Sequence, residues 1–307
     1  MAKTKISVVI LNWNNYEETA SCLSSVDAAL QKSLSVKVIL VDNGSDKDQR
    51  EKLVKINPKN IQIEYVLNKK NFGFTKGNNI GLKKALEDQG ELVVVLNNDT
   101  RVDKNFFDEC ASFFKNHDTV GVMSPKIYFE KGYEFHKDKY RENQLGKVIW
   151  AAGGKIDWNN VVGVNRGIDS VDSGQFENGG VCDFASGACC VFRKNALKKV
   201  GFFDERYFMY FEDVNMGVKL KKNGWKVYYN PKAIIWHKVA RSSSIGGALN
   251  DYFITRNRLL FGFSYAPVRS KFALFRESIK LLFAGRVWQR VGVRDFYLGR
   301  LCRGSWK

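Results

Sequence analysis

In the amino-terminal third of the chain, short apolar runs alternate with longer stretches in which apolar positions recur every three or four residues. The runs at 6–11, 36–41 and 92–96 are continuous and rich in Val and Ile, the pattern of strands buried on both faces. The run at 61–66 alternates more, as a half-buried strand does. Between them, 16–30, 46–56 and 77–87 carry helical spacing. Strand and helix in alternation predict a parallel sheet with helices on both faces. Ligands of such sheets bind beyond the carboxyl ends of the strands, which directs attention to 12–15, 42–46, 68–74 and 97–100, all rich in Asn, Asp and Gly.

From about residue 126 to 180 the pattern changes to Gly, Asn and aromatic residues without a helical period, and short strands and loops are expected around the ligand side. A strand at 188–192 follows, then helices at 194–200 and 212–222, two short strands at 227–229 and 234–236, and a helix at 248–263. Beyond it Phe272, Phe275, Ile279, Leu282, Phe283, Val287, Trp288 and Val291 recur at helical spacing among basic residues. The expected organisation is a catalytic domain over 1–265 and a basic amphipathic helical tail over 266–307.

The length of 307 residues and an apolar content of 44% allow a core that needs no disulfide support. Cys22, Cys110, Cys182, Cys189, Cys190 and Cys302 form no CxxC pair, so neither a disulfide framework nor a zinc site is expected, and a reducing cytoplasm fits. The apolar run near the amino terminus is too short for a signal-peptide core or a membrane span. The net charge of +17 calls for an anionic partner or a lysine-rich surface. Residues 268–307 hold ten Lys or Arg against Glu277 and Asp295, so about half of the surplus sits there. A basic amphipathic helix suits an anionic membrane surface, and equally a helix packed on the domain with its basic face in water. No nucleic-acid recognition motif accompanies the charge, and no nucleic-acid partner is expected.

Several residues are candidates for chemistry. Asn97, Asn98, Asp99 and Thr100 end a buried strand, where they would make either a tight turn or an oxygen-rich seat for magnesium or manganese against a diphosphate. Glu212 and Asp213 follow Phe208, Met209, Tyr210 and Phe211, and read equally as helix-capping residues or as a general base raised in pKa by apolar walls. His237 follows 234–236, a position for a structural histidine or a metal ligand. Ser242 to Ser244 with Gly246 and Gly247 form a stretch able to close over a phosphate. Asn-rich segments around Asn12 and Asn71 offer hydrogen bonds to a base and ribose, with Gly73 and Gly77 permitting close approach. No GxGxxG, P-loop or GxSxG occurs, which removes the usual dinucleotide, kinase and hydrolase readings.

Taken in order, SVVILNWNN, VILVDNGS, NFGFTKGNN, VVVLNNDT, FASGACCVFRKNAL, VGFFDERYFMYFEDVNMGVKL, YNPKAIIWH and YFITRNRLLF resemble the family 2 glycosyltransferases of GT-A fold, most closely their bacterial rhamnosyltransferase-like branch. The resemblance implies an α/β fold with a Rossmann-like mixed sheet. It also implies inverting transfer of a sugar, rhamnose first among the expectations, from a dTDP- or UDP-sugar to a glycan or lipid-linked acceptor, in the cytoplasm or at the inner face of the plasma membrane. Leu11, Asn12, Asn14, Asp42, Asn71, Gly73, Phe74, Asn78, Asn97 and Asn98 would bind the donor nucleotide. Asp99 and His237 would hold a divalent cation, Mg2+ or Mn2+. Asp213 would be the base, with Glu212 supporting it, and Arg193 and Trp236 would line the donor or acceptor site. Two positions depart from the family pattern. Asn97 replaces the first carboxylate of the Asp-x-Asp motif, and Asn215 stands where many relatives have an aspartate. Alternatives on the same scaffold are a nucleotide-sugar hydrolysing enzyme and a metal-independent binding module.

Overall fold

The computed structural model describes residues 4–31, 33–239 and 247–306. β1 (Thr4–Asn12), β2 (Leu34–Asp42), β3 (Gln62–Leu67) and β4 (Leu92–Asn97) lie close to their expected bounds. They are joined by α1 (Tyr16–Ala28), α2 (Lys47–Leu53) and α3 (Gly73–Glu87). β1 pairs in parallel with both β2 and β4, and β2 with β3. Alternate residues of β1 and β2 feed two separate cores. Val8, Ile10, Val38 and Leu40 pack with Leu23 and Val26 of α1, and Val9, Ile39 and Val41 with Leu82 and Ala85 of α3. Each such buried side chain contributes about 1.5–3 kcal/mol, which is why these strands read as unbroken apolar runs.

Past β4 the sheet becomes mixed. β5 (Thr100–Val102), α4 (Phe106–Lys115) and β6 (Val120–Phe129) are elements the sequence pattern had not marked. α4 buries Phe106, Phe107, Cys110, Phe113 and Phe114 on one face, a helical spacing obscured by its adjacent phenylalanines. β7 (Val148–Ala152), β8 (Gly154–Asp157), β9 (Val162–Asn165), β10 (Ser170–Val171) and β11 (Gly180–Val181) are the short strands expected between 126 and 180. β12 (Cys189–Arg193) inserts antiparallel between β4 and β6, giving the order β10-β7-β6-β12-β4-β1-β2-β3.

α5 (Lys194–Val200) and α6 (Glu212–Lys222) follow, then β13 (Lys226–His237). β13 was expected as two short strands. It is one strand with a register shift between Asn230 and Ile234, because Pro231 lacks the N–H that would continue the ladder. It ends beside β5, with His237 opposite Thr100. Of the stretch expected to close over a phosphate, Ser242, Ser243, Ser244 and Gly246 lie outside the described residues, and Gly247 precedes α7 (Ala248–Tyr265).

The tail forms two helices where one amphipathic helix was expected. α8 (Val268–Ala284) and α9 (Val287–Tyr297) are separated by extended backbone at Gly285 and Arg286. Leu274 of α8 and Val293 of α9 join the buried cluster of Leu259, Leu260 and Phe261 on α7. Among the described residues no helix is long and apolar enough to cross a membrane.

Candidate active site

The carboxyl ends of β1, β2 and β4 meet at Asn12, Asp42 and Asn97, with Asn12 level with Asp42 and Leu11 level with Asn97. The side chains there are tied to one another. Asn12 is buried, donates to Asp42 Oδ1 and Ser45 Oγ at 3.2 Å each, and accepts from Thr19. Asp42 was expected to hold the base. Its side chain is fully buried and already bound by Arg50 at 2.8 Å, by Asn12 and by the Ser45 amide, so it braces the loop. Asn14, with φ +49°, accepts from the Asp46 amide at 2.7 Å and fixes the start of α2. Leu11 lies against Gly77, where an added Cβ would stand 2.6 Å from a leucine methyl.

Asn43, which the sequence reading did not single out, is the hub of the second loop. It donates to Asn71 Oδ1 and the Gly73 carbonyl and accepts from Asn68 and the Phe72 amide. Asn71 in turn accepts from the Gly73 amide at 2.8 Å. Gly73 has φ +83°, and a Cβ there would meet the Phe208 ring at 2.5 Å, so both backbone shape and contact require glycine. Asn78 is buried and donates back to the Phe74 carbonyl within α3. The Phe74 ring faces Gly187, alongside Glu212 Oε1.

The turn between Ser186 and Ala188 joins the two halves of the site. Gly187 N–H donates to Asp213 Oδ2 at 2.9 Å, and the next carbonyl, Ala188, accepts from Asn97 N–H at 3.0 Å. Asp213 Oδ1 accepts from Val214 N–H at 2.8 Å. Asp213 thus has a backbone donor on each oxygen, yet it remains half-buried at the edge of a cleft of about 390 Å³ lined also by Trp150, Val164, Ser186, Tyr210 and Ile254. Burial raises its pKa, partly offset by those backbone hydrogen bonds. Glu212 is more deeply buried, its Oε2 has no partner, and burial followed by the nearby Asp213 charge raises its pKa well above the carboxylate range.

The backbone before this pair is strained. Tyr210 and Phe211 have φ of +66° and +71°, a left-handed conformation that costs on the order of 1–3 kcal/mol per residue outside glycine. Asn257 of α7 holds it, donating to the Met209 and Tyr210 carbonyls at 2.7 and 2.9 Å. The buried guanidinium of Arg256 donates twice to Asn257 Oδ1 and once to Tyr252, and Tyr252 donates to Asp295 of α9 at 2.6 Å. The tail therefore braces the segment that presents Asp213. The sequence signal was present in YFITRNRLLF, whose helical spacing puts Tyr252 and Arg256 one turn apart.

At the other end, His237 Nε2 and Asp99 Oδ1 approach to 3.1 Å, and Asp99 Oδ1 and His237 Nδ1 are buried without a hydrogen-bond partner among the described residues. Trp150, which lines the cleft, stands edge-on to the His237 ring at 4.9 Å. Two octahedral ligands about 2.1 Å from a magnesium ion are about 3 Å apart when at right angles. The spacing, the orphaned oxygen and the mixed oxygen–nitrogen donor set fit a divalent cation. Among the described residues no three His, Cys, Asp or Glu side chains gather. Asn98 donates to Thr19 Oγ1 at 2.9 Å and reaches toward Asn12.

Two expectations fail on geometry. Arg193 pairs with Leu92 at the opposite end of β4, and its guanidinium caps the carbonyls of Phe114, His117 and Val120. Trp236 donates to the Gly146 carbonyl under the Arg101 guanidinium, because strand alternation turns it away from the face of His237. Neither lines the cleft. Asn215 is buried inside α6 and donates to Tyr265 at 3.1 Å, so an acidic residue is not missed at the cleft there.

Residues 4–262 match the model of the glycosyltransferase like family 2, and the chain belongs to that family. It has the GT-A fold. It is 22% identical over 218 residues to the low-salt glycan biosynthesis hexosyltransferase Agl10 of Haloferax volcanii, covering 71% of this chain and 62% of that protein. Over 58 residues it is 50% identical to the N-acetylglucosaminyl-diphospho-decaprenol L-rhamnosyltransferase of Mycobacterium tuberculosis, 19% of each chain. The chain thus spans less than two thirds of the length of these curated relatives. The mannosyltransferase PcManGT of Pyrobaculum calidifontis, solved with GDP-Man and Mn2+, superposes with a TM-score of 0.53 at 14% identity, over 97% of this chain and 75% of that one.

Proposed function

We propose that the protein is an inverting glycosyltransferase that passes a sugar from a nucleoside-diphosphate donor to an acceptor hydroxyl, with Asp213 as general base. The observation that carries the reading is the Asp213 carboxylate, oriented by the Gly187 and Val214 amides at the edge of a cleft whose lining residue Trp150 also packs edge-on against His237, the neighbour of Asp99. The backbone donors keep a half-buried carboxylate oriented, while burial lifts its basicity toward the range useful for accepting a hydroxyl proton. Attack from the Asp213 side, in line with the departing diphosphate, inverts the anomeric centre. A magnesium or manganese ion held by Asp99 and His237 would neutralise the charge of that diphosphate.

The donor nucleotide lies over the ends of β1, β2 and β4, with Leu11, Asn71, Gly73 and Phe74 at its walls. Asn12, Asn14, Asp42, Asn78 and Asn98 act by bracing those walls. A dTDP-rhamnose donor is favoured by the short stretch of high identity to the mycobacterial rhamnosyltransferase, and a UDP-hexose comes next. The acceptor is a glycan or a lipid-linked sugar, met in the cytoplasm at the inner face of the plasma membrane. A thermal-shift panel of dTDP-rhamnose, UDP-glucose, UDP-N-acetylglucosamine and GDP-mannose, each with and without manganese, tests the reading. One donor should raise the melting temperature with manganese and little without it. No shift from any donor would sink the proposal.

A further inference from the structure

Only one face of α8 meets the protein. Ser270, Leu274 and Ser278 are buried, Leu274 against Gly262 of α7 and Ser278 on the Tyr297 hydroxyl of α9. At the helical 3.6 residues per turn, Val268, Phe272, Phe275, Ile279, Leu282 and Phe283 fall in one stripe about 100° wide on the far side. All six are exposed, Phe272 by 67% and Phe283 by 82%. A soluble helix normally turns this side to water with polar residues, and a contiguous exposed apolar stripe marks a binding surface. The same projection puts Arg269, Arg276 and Lys280 along one border of the stripe and Lys271 along the other. Among the described residues none of these four forms an ion pair, whereas Glu277, the single acid of α8, is held by Arg258 on the inner side.

We infer that the outer face of α8 docks flat on an anionic phospholipid surface, its aromatic and aliphatic side chains entering the headgroup boundary and its flanking cations meeting lipid phosphates. The chemistry is that of an interfacial amphipathic helix, for which apolar insertion and electrostatic attraction act together. A second copy of the chain fits the face poorly, since an isologous contact would set this row of cations against its own image. Ile254 of α7 lines both the cleft of Asp213 and the hollow formed with Leu274, Ser278 and Leu281 on the inner side of α8, so the docking helix and the cleft are neighbours in the molecule. The docking does not rest on the transfer reading.

The test is flotation of the full chain with vesicles of phosphatidylcholine alone or of equimolar phosphatidylcholine and phosphatidylglycerol. The protein should float with the anionic vesicles at low salt and lose binding as salt rises. Phe272→Glu with Phe283→Glu should abolish flotation. Arg269→Gln with Arg276→Gln and Lys280→Gln should weaken it roughly a hundredfold on anionic vesicles only. Melting temperature and donor-induced thermal shift should match the parent in both variants. Failure of the unaltered protein to float, or flotation unchanged in either variant, would overturn the docking and leave sugar transfer standing. A dimer in sedimentation that Phe272→Glu with Phe283→Glu dissociates would assign the face to a second copy and also overturn it. Loss of the donor shift in the unaltered protein would count against transfer alone.

Discussion

Asp213 and Asp99 are held in opposite ways. Asp213 has a backbone N–H on each carboxylate oxygen, and those donors come from two segments, the 186–188 turn and α6 itself. Asp99 Oδ1 is buried, sits 3.1 Å from His237 Nε2 and has no hydrogen bond among the described residues. A group that must point at a substrate proton throughout the cycle benefits from fixed donors, since orientation set in advance costs nothing at the moment of reaction. A group that takes up a cation needs a lone pair left free. The difference between the two ends is therefore chemical: on the proposed reading one is preorganised as a base, and the other keeps a lone pair free for a cation.

The sharpest way to break this contrast is to neutralise each carboxylate in turn. Asp213→Asn should lower kcat by about 10²- to 10⁴-fold, the usual range for a general base, with donor affinity in calorimetry close to that of the parent. Asp99→Asn should instead remove the manganese dependence of donor binding, with transfer down by roughly 10²-fold. Equal loss of donor affinity in both variants would erase the distinction.

A smaller effect is expected one layer behind Asp213. Asn257→Ala removes the donor that satisfies the Met209 and Tyr210 carbonyls and releases the left-handed pair at Tyr210 and Phe211. Stability should fall by about 1–3 kcal/mol in denaturant titration. Donor affinity should stay, and kcat should fall about tenfold, as expected for a base that is misplaced and not removed. A change in donor affinity with kcat intact would show that Asn257 serves the nucleotide side.

The smallest effect concerns Glu212. Its folded pKa is raised by burial and by Asp213, so the folded state binds a proton more tightly than the unfolded chain does. Stability is then fully retained below the unfolded value of about 4.3 and falls as pH rises from there through the raised folded value. Glu212→Gln should flatten that decline and raise the melting temperature at neutral and alkaline pH by a few degrees, with little change in acid. A parallel pH profile for the two proteins would mean that Glu212 is ionised at no cost.

The bounds of β1, β2 and β4 were legible because strands buried on both faces must be apolar at every position, and their carboxyl ends are where ligands of such a sheet bind. Composition placed the basic surplus in the tail. Glu212, Asp213, Asp99 and His237 were legible as candidates from their own segments, but each has an ordinary turn, cap or strand-end reading alone, and only the order of the motifs favoured the chemical one. Tertiary structure decided the rest. Asp42 and Asn98 are engaged by Arg50 and Thr19, partners that only the folded chain brings within hydrogen-bond reach. Arg193 is at the opposite end of β4 because β12 runs antiparallel to it, a pairing no local pattern encodes. Asn43 and Asn257 emerge as anchors only when distant carbonyls come within hydrogen-bond reach. Periodicity tells which face of an element is apolar, but not what covers it. On α8 it marked one apolar stripe, and the packing of α8 on α7 and α9 showed that this stripe is left exposed.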